Sequence, residues 1–276
     1  MAPTTEPPPT LGERIASYVG PFTLLATGFY YFATTAVTSP VLALTQPTTF
    51  KHKAFARLWS KYGTAMSLDL PGPTVALLST VSGTVLDLGP GSGALMHYFD
   101  ASKVKSMYGA EPAVDMHPLL RSNATAAGFD GKYEVLNAGA EKETLIPALG
   151  MAGLLRRGGG GVFDEIVCVR VLCGVPHLED TVKGLHELLK PGGRLVVCEH
   201  VKNSWPRGGG FVGAMLQRLY TLLGWPVWMA GCSLNRDTEA VLRKVGGKDG
   251  WEKIDLQTVG AWKTVPFIVG TLVKKA

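Results

Sequence analysis

Cysteine is scarce in this chain of 276 residues, and the four present, Cys168, Cys173, Cys198 and Cys232, form no C-x-x-C pair and stand in apolar surroundings. That pattern argues against a zinc ribbon and against a disulfide framework, so neither a metal site nor a disulfide is expected. Reduced thiols of this kind fit a cytosol-facing domain. Charge is also thin, with 18% charged residues and a formal net charge of +5. Lys and Arg make no stripe and do not interleave with aromatics, which disfavours nucleic acid as a partner and leaves a solvated basic surface or one facing anionic lipid. No Tyr-x-x-x-Lys pair occurs, so the acid of a short-chain reductase is missing. From Ile15 to Phe50 there is no charged residue at all.

Glycine, by contrast, is concentrated where it matters. Thr84 to Ala94 reads T-V-L-D-L-G-P-G-S-G-A, a short apolar run of strand type that breaks at once into glycines. Val85, Leu86 and Leu88 suit a buried strand, and Gly89, Gly91 and Gly93 suit a turn that takes unusual dihedrals and approaches a ligand before a helix running to about Asp100. Amides exposed at such a helix start favour an anionic group. A second apolar stretch, Met107 to Ala110, ends in Glu111, close to the offset of roughly 20 residues expected of a carboxylate that binds ribose hydroxyls from the neighbouring strand. The same glycines satisfy the dinucleotide fingerprint of a dehydrogenase, but nothing after them supplies a second catalytic domain.

Asp87-Leu-Gly-Pro-Gly-Ser-Gly93, Glu111-Pro112, Ala138-Gly-Ala-Glu141, Phe163-Asp-Glu-Ile-Val167 and Leu189-Lys-Pro-Gly-Gly-Arg-Leu195 resemble, in order, the successive motifs of class I S-adenosylmethionine-dependent methyltransferases. The resemblance covers residues 80 to 275. It implies a Rossmann-like α/β fold with a seven-stranded, mostly parallel sheet and helices on both faces. S-adenosylmethionine would be bound by Asp87, Gly89, Gly91, Gly93 and Glu111, with Ala140 and Glu141 beside the adenine and Val171 and Leu172 facing the methionine part. Val171-Leu-Cys-Gly-Val175, Glu199-His-Val201 and Gly231-Cys-Ser-Leu-Asn-Arg236 are similar, more narrowly, to membrane-associated methyltransferase-like proteins of the endoplasmic reticulum and lipid droplets, a family that includes alkyl thiol S-methyltransferases.

The chain divides accordingly. Residues 1–14, rich in Pro and Thr at the start, are expected to be a disordered tail. Residues 15–50 form an apolar anchor, with Pro21 and Pro40 bracketing a helix of about 18 residues, near the length that crosses or enters a bilayer. Lys51, Lys53, Arg57 and Lys61 follow it against Arg14 alone before it, which sets the domain on the cytoplasmic face. A buried helix packed on the domain is the competing reading of the same segment. Residues 51–276 are the methyltransferase domain, with a cofactor half at 80–200 and an insertion at 202–232 that covers the acceptor. Phe50 to Leu70 reads as an amphipathic helix, and Gly158 to Gly161 as a flexible surface loop.

Methyl transfer from a sulfonium is an in-line displacement, so the protein has chiefly to align two atoms and exclude water. His200 and Glu199 lie at the end of the fifth predicted strand, where open α/β sheets bind ligands, and are the catalytic candidates; His200 also suits a purely structural hydrogen bond. Cys173 and His177 are weaker candidates. The expected acceptor is a small hydrophobic thiol. O- or N-methylation of a lipid or specialised metabolite, and a membrane-bound scaffold without turnover, are the alternatives.

Overall fold

The computed structural model describes residues 8–155, 161–245 and 250–276. Its frame is one sheet made of β1 (Gly83–Leu88), β2 (Val104–Ala110), β3 (Tyr133–Leu136), β4 (Phe163–Val169), β5 (Leu189–His200), β6 (Trp251–Val259) and β7 (Phe267–Lys274). The seven strands lie in the order β3-β2-β1-β4-β5-β7-β6. The first five are parallel, and β7 runs antiparallel to both its neighbours. This is the expected Rossmann-like frame. The strand order reverses between β1 and β4, and such a reversal opens a crevice at the carboxyl ends of the strands.

The helices are α1 (Leu11–Thr38), α2 (Pro40–Thr45), α3 (Pro47–Leu68), α4 (Thr74–Leu78), α5 (His117–Ala126), α6 (Lys142–Met151), α7 (Leu178–Leu188), α8 (Phe211–Leu222), α9 (Trp225–Trp228) and α10 (Thr238–Lys244). The central strands are apolar on consecutive residues because both faces are covered. Leu86, Ile166, Cys168, Leu195 and Val197 pack with Leu145, Leu149, Val182, Leu185 and Leu242 of α6, α7 and α10. Val85, Val167 and Val196, one residue out of step, pack on the opposite face with Leu78 of α4 and Ala124 of α5. A third cluster lies outside the sheet, where Leu25 of α1 and Leu58 of α3 meet Tyr220, Trp225 and Met229.

Two motifs quoted above meet at the lower end of the sheet and are structural there. Lys190 Nζ lies 2.7 Å from Asp164 Oδ1, and Arg194 Nη2 lies 2.6 Å from Glu165 Oε2. Asp164 also accepts from Thr84 N, and Glu165 from Ser82 N, so two adjacent acids tie β4 to the entry of β1 as well as to β5.

Several expectations need correction. Among the described residues no helix is long and apolar enough to cross a membrane. α1 starts ten residues before Pro21 because Thr10 and Glu13 form a reciprocal capping box, and the proline is accommodated inside the helix. One stripe of α1, including Leu25, Gly28, Phe32 and Thr35, is buried against the domain, which is the competing reading of this segment. Of the expected tail, residues 1–7 lie outside the described residues and residues 11–14 are helical. The helix expected after the glycine loop is replaced by a short 3-10 turn at Met96–Tyr98. Gly89, Gly91 and Gly93 all take positive φ, at 63°, 59° and 75°, so the chain is non-helical as far as Gly93. Of the loop expected at Gly158 to Gly161, residues 158–160 lie outside the described residues.

Candidate active site

The glycine loop leaves β1 at the point of strand reversal. Gly89 is required by space as well as by φ, since an added Cβ would come within 2.7 Å of Val171 Cγ2. Glu111, one residue beyond β2, turns its carboxylate onto this loop: Oε2 accepts from Gly91 N at 2.8 Å and Oε1 from Ala113 N at 2.8 Å. Burial raises its pKa, against the two backbone donors. Asp87, at the end of β1, is 8% exposed and within 3.3 Å of the Tyr133 hydroxyl, which donates to it. Burial pushes its carboxyl up to about 7, the Tyr133 hydrogen bond opposes that rise, and the nearby charge of Glu111 adds to it.

A cavity beside the loop is lined by Asp87, Gly89, Gly91, Gly93, Val169 and Arg170, with Trp59 and Ser67 of α3 above it. The roof is fastened by Arg170, whose guanidinium donates to the carbonyls of Met66 and Asp69 at the end of α3. Arg170 holds a left-handed backbone conformation, φ 58°, and its guanidinium stands 5.2 Å from the Phe267 ring centroid. From below, Asn123 Nδ2 donates to the Ser92 carbonyl at 2.8 Å and steadies the loop. Trp59 lies on the apolar face of the helix expected at Phe50 to Leu70, a region that often covers the cofactor in the family the chain resembles. Sequence reasoning passed over Asn123 and Tyr133, because their contacts with Ser92 and Asp87 lie 31 and 46 positions away.

The other candidate cofactor residues fall differently. Val171 packs against Gly89, at the edge of the cavity. Leu172 is fully buried in the core and contributes its amide, not its side chain, to the region. Ala140 is also packed in the core, and Glu141 occupies the N-cap position of α6 without a side-chain cap bond.

Glu199 and His200 end β5, and both are buried, at 0% and 6% exposure. Glu199 Oε1 accepts from Val171 N at 2.7 Å and Leu172 N at 2.9 Å, while its Oε2 is buried without a partner. Burial raises its carboxyl to about 7 against those amide bonds. It therefore positions the loop after β4. His200 Nε2 lies 3.1 Å from Cys232 Sγ, and Nδ1 is buried with no partner. Burial lowers its pKa, but the Cys232 sulfur and Glu199 outweigh that effect and the net direction is upward. Cys232 is held well below the ordinary thiol range, first by a hydrogen bond from Cys173 and then, against burial, by His200. Cys173 moves the opposite way, through the same hydrogen bond and burial. His177 only precedes α7 as its N-cap position, with no side-chain cap bond.

The three narrower motifs thus form one locus. Besides the contacts of Glu199 and His200, Ser233 N donates to the Cys173 carbonyl at 2.9 Å, and Arg236 Nη1 donates to the carbonyls of Leu172 and Val175. Although no C-x-x-C spacing links them, Cys173, Cys232 and His200 bring their donor atoms within 4.8 Å of one another.

A family model described as a methyltransferase domain matches residues 43–248. The chain belongs to this methyltransferase family. Human thiol S-methyltransferase TMT1A is 30% identical over 118 residues, covering 41% of this chain and 45% of that protein. Rat thiol S-methyltransferase TMT1B is 27% identical over 188 residues, covering 67% of this chain and 64% of that protein. The matches thus span less than two thirds of these relatives. An O-methyltransferase family protein from Burkholderia thailandensis superposes with TM-score 0.53 at 15% identity, over 95% of this chain and 72% of that one. The [4+2]-cyclase SpnF superposes with TM-score 0.51 at 15% identity, over 79% and 84%. At these identities the likeness is one of fold, and a cyclase on the same fold separates architecture from chemistry. S-adenosylmethionine is the cofactor that family membership carries. The site fits it: the three left-handed glycines leave backbone bare at the sheet's reversal point, and a carboxylate stands on the adjacent strand end.

Proposed function

We propose that this methyltransferase acts on a small hydrophobic acceptor, a thiol before an alcohol or an amine. The observation that carries the reading is the cradle at the strand reversal, where Glu111 of the second strand end grips Gly91 of the glycine loop under the roof of Trp59. Gly89, Gly91, Gly93, Asp87 and Glu111 would hold the cofactor, which supplies a methyl group on a positively charged sulfur. Val171 would bound its reactive end, held by Glu199 through the Val171 amide. Ala140, Glu141 and Leu172 would contribute through backbone and packing. Trp59 and the Arg170 clasp on α3 would shield the cofactor from water.

The thiol assignment draws on the relatives' activity and on nucleophilicity. A thiol is partly ionised near neutral pH and its sulfur is soft, whereas an alcohol needs a strong base. At the end of β5, Glu199 gives one oxygen to two amides and buries the other, and neither His200 nitrogen is free at an open surface. Purified protein incubated with labelled S-adenosylmethionine and matched thiol, phenol and amine panels should label thiols fastest. Faster transfer to phenols or amines would sink the thiol reading. By calorimetry, Glu111→Ala should weaken cofactor binding; equal affinity would remove Glu111 from the cradle.

The same proposal includes a membrane surface as partner, on the cytoplasmic face of the endoplasmic reticulum or lipid droplet. α1 lies against the domain and exposes Leu11, Ile15, Val19 and Phe22, and the adjacent α8 exposes Phe211, Met215, Leu219 and Leu222. Two packed helices with apolar outer rows suit a protein that lies on a bilayer.

A further inference from the structure

Cys173, His200 and Cys232 come from three separate stretches: the loop after β4, the last residue of β5, and the loop after α9. Their ligand atoms all fall within 4.8 Å of one another, and His200 Nε2 is 3.1 Å from Cys232 Sγ. In a tetrahedral Cys-Cys-His zinc site, bonds of about 2.3 Å to sulfur and about 2.0 Å to nitrogen put the donor atoms roughly 3.3–3.8 Å apart. The observed triangle, with one edge of 3.1 Å and none above 4.8 Å, brackets that size.

The surroundings are those of a prepared site. The Trp225 indole N–H points at Cys232 Sγ from 3.5 Å, as an outer donor to a bound thiolate would. The two cysteine loops are tied to each other by Ser233 N on the Cys173 carbonyl and by Arg236 on the carbonyls of Leu172 and Val175. Lys202 N donates to the Arg236 carbonyl at 2.9 Å, which ties the exit of β5 into the same knot. Cys173 and His200 are buried and Cys232 is half-buried, so the Cys232 side is the one nearest solvent.

We propose that Cys173, His200 and Cys232 form a three-ligand site for a thiophilic divalent cation of the zinc type, its fourth position open on the Cys232 side. Two sulfurs and one imidazole select a borderline-soft ion over magnesium or calcium, which take oxygen donors. Three protein ligands with one free position is the arrangement of exchangeable, reactive zinc sites; closed structural sites use four. The proposal stands apart from the methyl-transfer reading, since it concerns cation binding alone.

The test uses the full chain, purified under reductant, stripped with a chelator and titrated with Zn2+ against a chromophoric competitor. One ion per chain is expected, and Cys232→Ser and Cys173→Ser should each weaken binding by about 100-fold or more. Titration of the unaltered protein with Co2+ keeps the proposal falsifiable if either variant fails to fold. Strong visible bands of tetrahedral cobalt together with sulfur-to-metal charge transfer are expected. An octahedral, sulfur-free cobalt spectrum would overturn the site. So would zinc affinity unchanged in both serine variants, or a Cys173–Cys232 disulfide that forms under air and persists with excess zinc present. Cofactor binding, measured in parallel, reports the methyl-transfer site separately.

Discussion

Asp87 shows how far a single side chain is bent from its ordinary behaviour. Its carboxyl, pushed up to about 7 mainly by burial, binds a proton in the folded chain at pH values where the unfolded chain has released it. The folded pKa lies above the unfolded one, so the folded state binds more protons and stability falls as pH rises between about 4 and about 7. Asp87→Asn, which keeps an acceptor for the Tyr133 hydroxyl, should remove that loss. The variant should gain on the native protein by on the order of 2–4 kcal/mol between pH 4 and pH 8, read by urea unfolding across the range. Parallel curves for the two proteins would show that Asp87 carries no such penalty. At this scale the sequence is informative where chemistry repeats at short range: the glycines and Glu111 were legible from spacing. Arg170 was legible as the end of the fourth strand but its clasp on α3 was not, because its partners Met66 and Asp69 lie 104 and 101 residues away. The Cys173, His200 and Cys232 grouping was hidden for the same reason, since no two of them are near neighbours in the chain.

Elements divide into those specified locally and those decided by packing. All seven strands were readable, the central ones because runs such as Leu195 to Cys198 are apolar on consecutive residues. The start of α1 was misplaced: Pro21 looks like a helix beginning, but the Thr10 and Glu13 box sits upstream and the buried stripe holds the helix through the proline. Replacing Thr10 with Ala should cost about 1 kcal/mol by removing the cap, with loss of helical signal confined to the first turns of α1 in hydrogen exchange. The sheet edge depends on close approach at Gly270, where an added Cβ would collide with the backbone carbonyl of Asp255 on β6. Gly270→Ala should destabilise the protein by about 2–3 kcal/mol, because the backbone of the edge pair has to shift. An unchanged melting temperature would mean that β6 moves freely away from β7.

For the molecule as a whole, the third apolar cluster makes the N-terminal helices part of the domain, and it also leaves their outer rows uncovered. Ile15, Phe22 and Leu222 are 53%, 52% and 85% exposed, so changing all three to Glu should leave thermal stability nearly unaltered while abolishing cosedimentation with anionic vesicles. Equal cosedimentation of the triple variant would assign lipid binding elsewhere. The roof over the glycine cradle belongs to α3, which packs along α1, and Arg170 pins the far end of α3 to the top of β4. On the proposed membrane-facing reading, whatever grips α1 from outside would also restrain the shutter over the cradle, and a bilayer would be a brake or a lever on ligand exchange rather than a passive address. The dissociation rate of S-adenosylmethionine should change when vesicles are added, and Arg170→Gln, which unpins the shutter, should speed release with vesicles or without them.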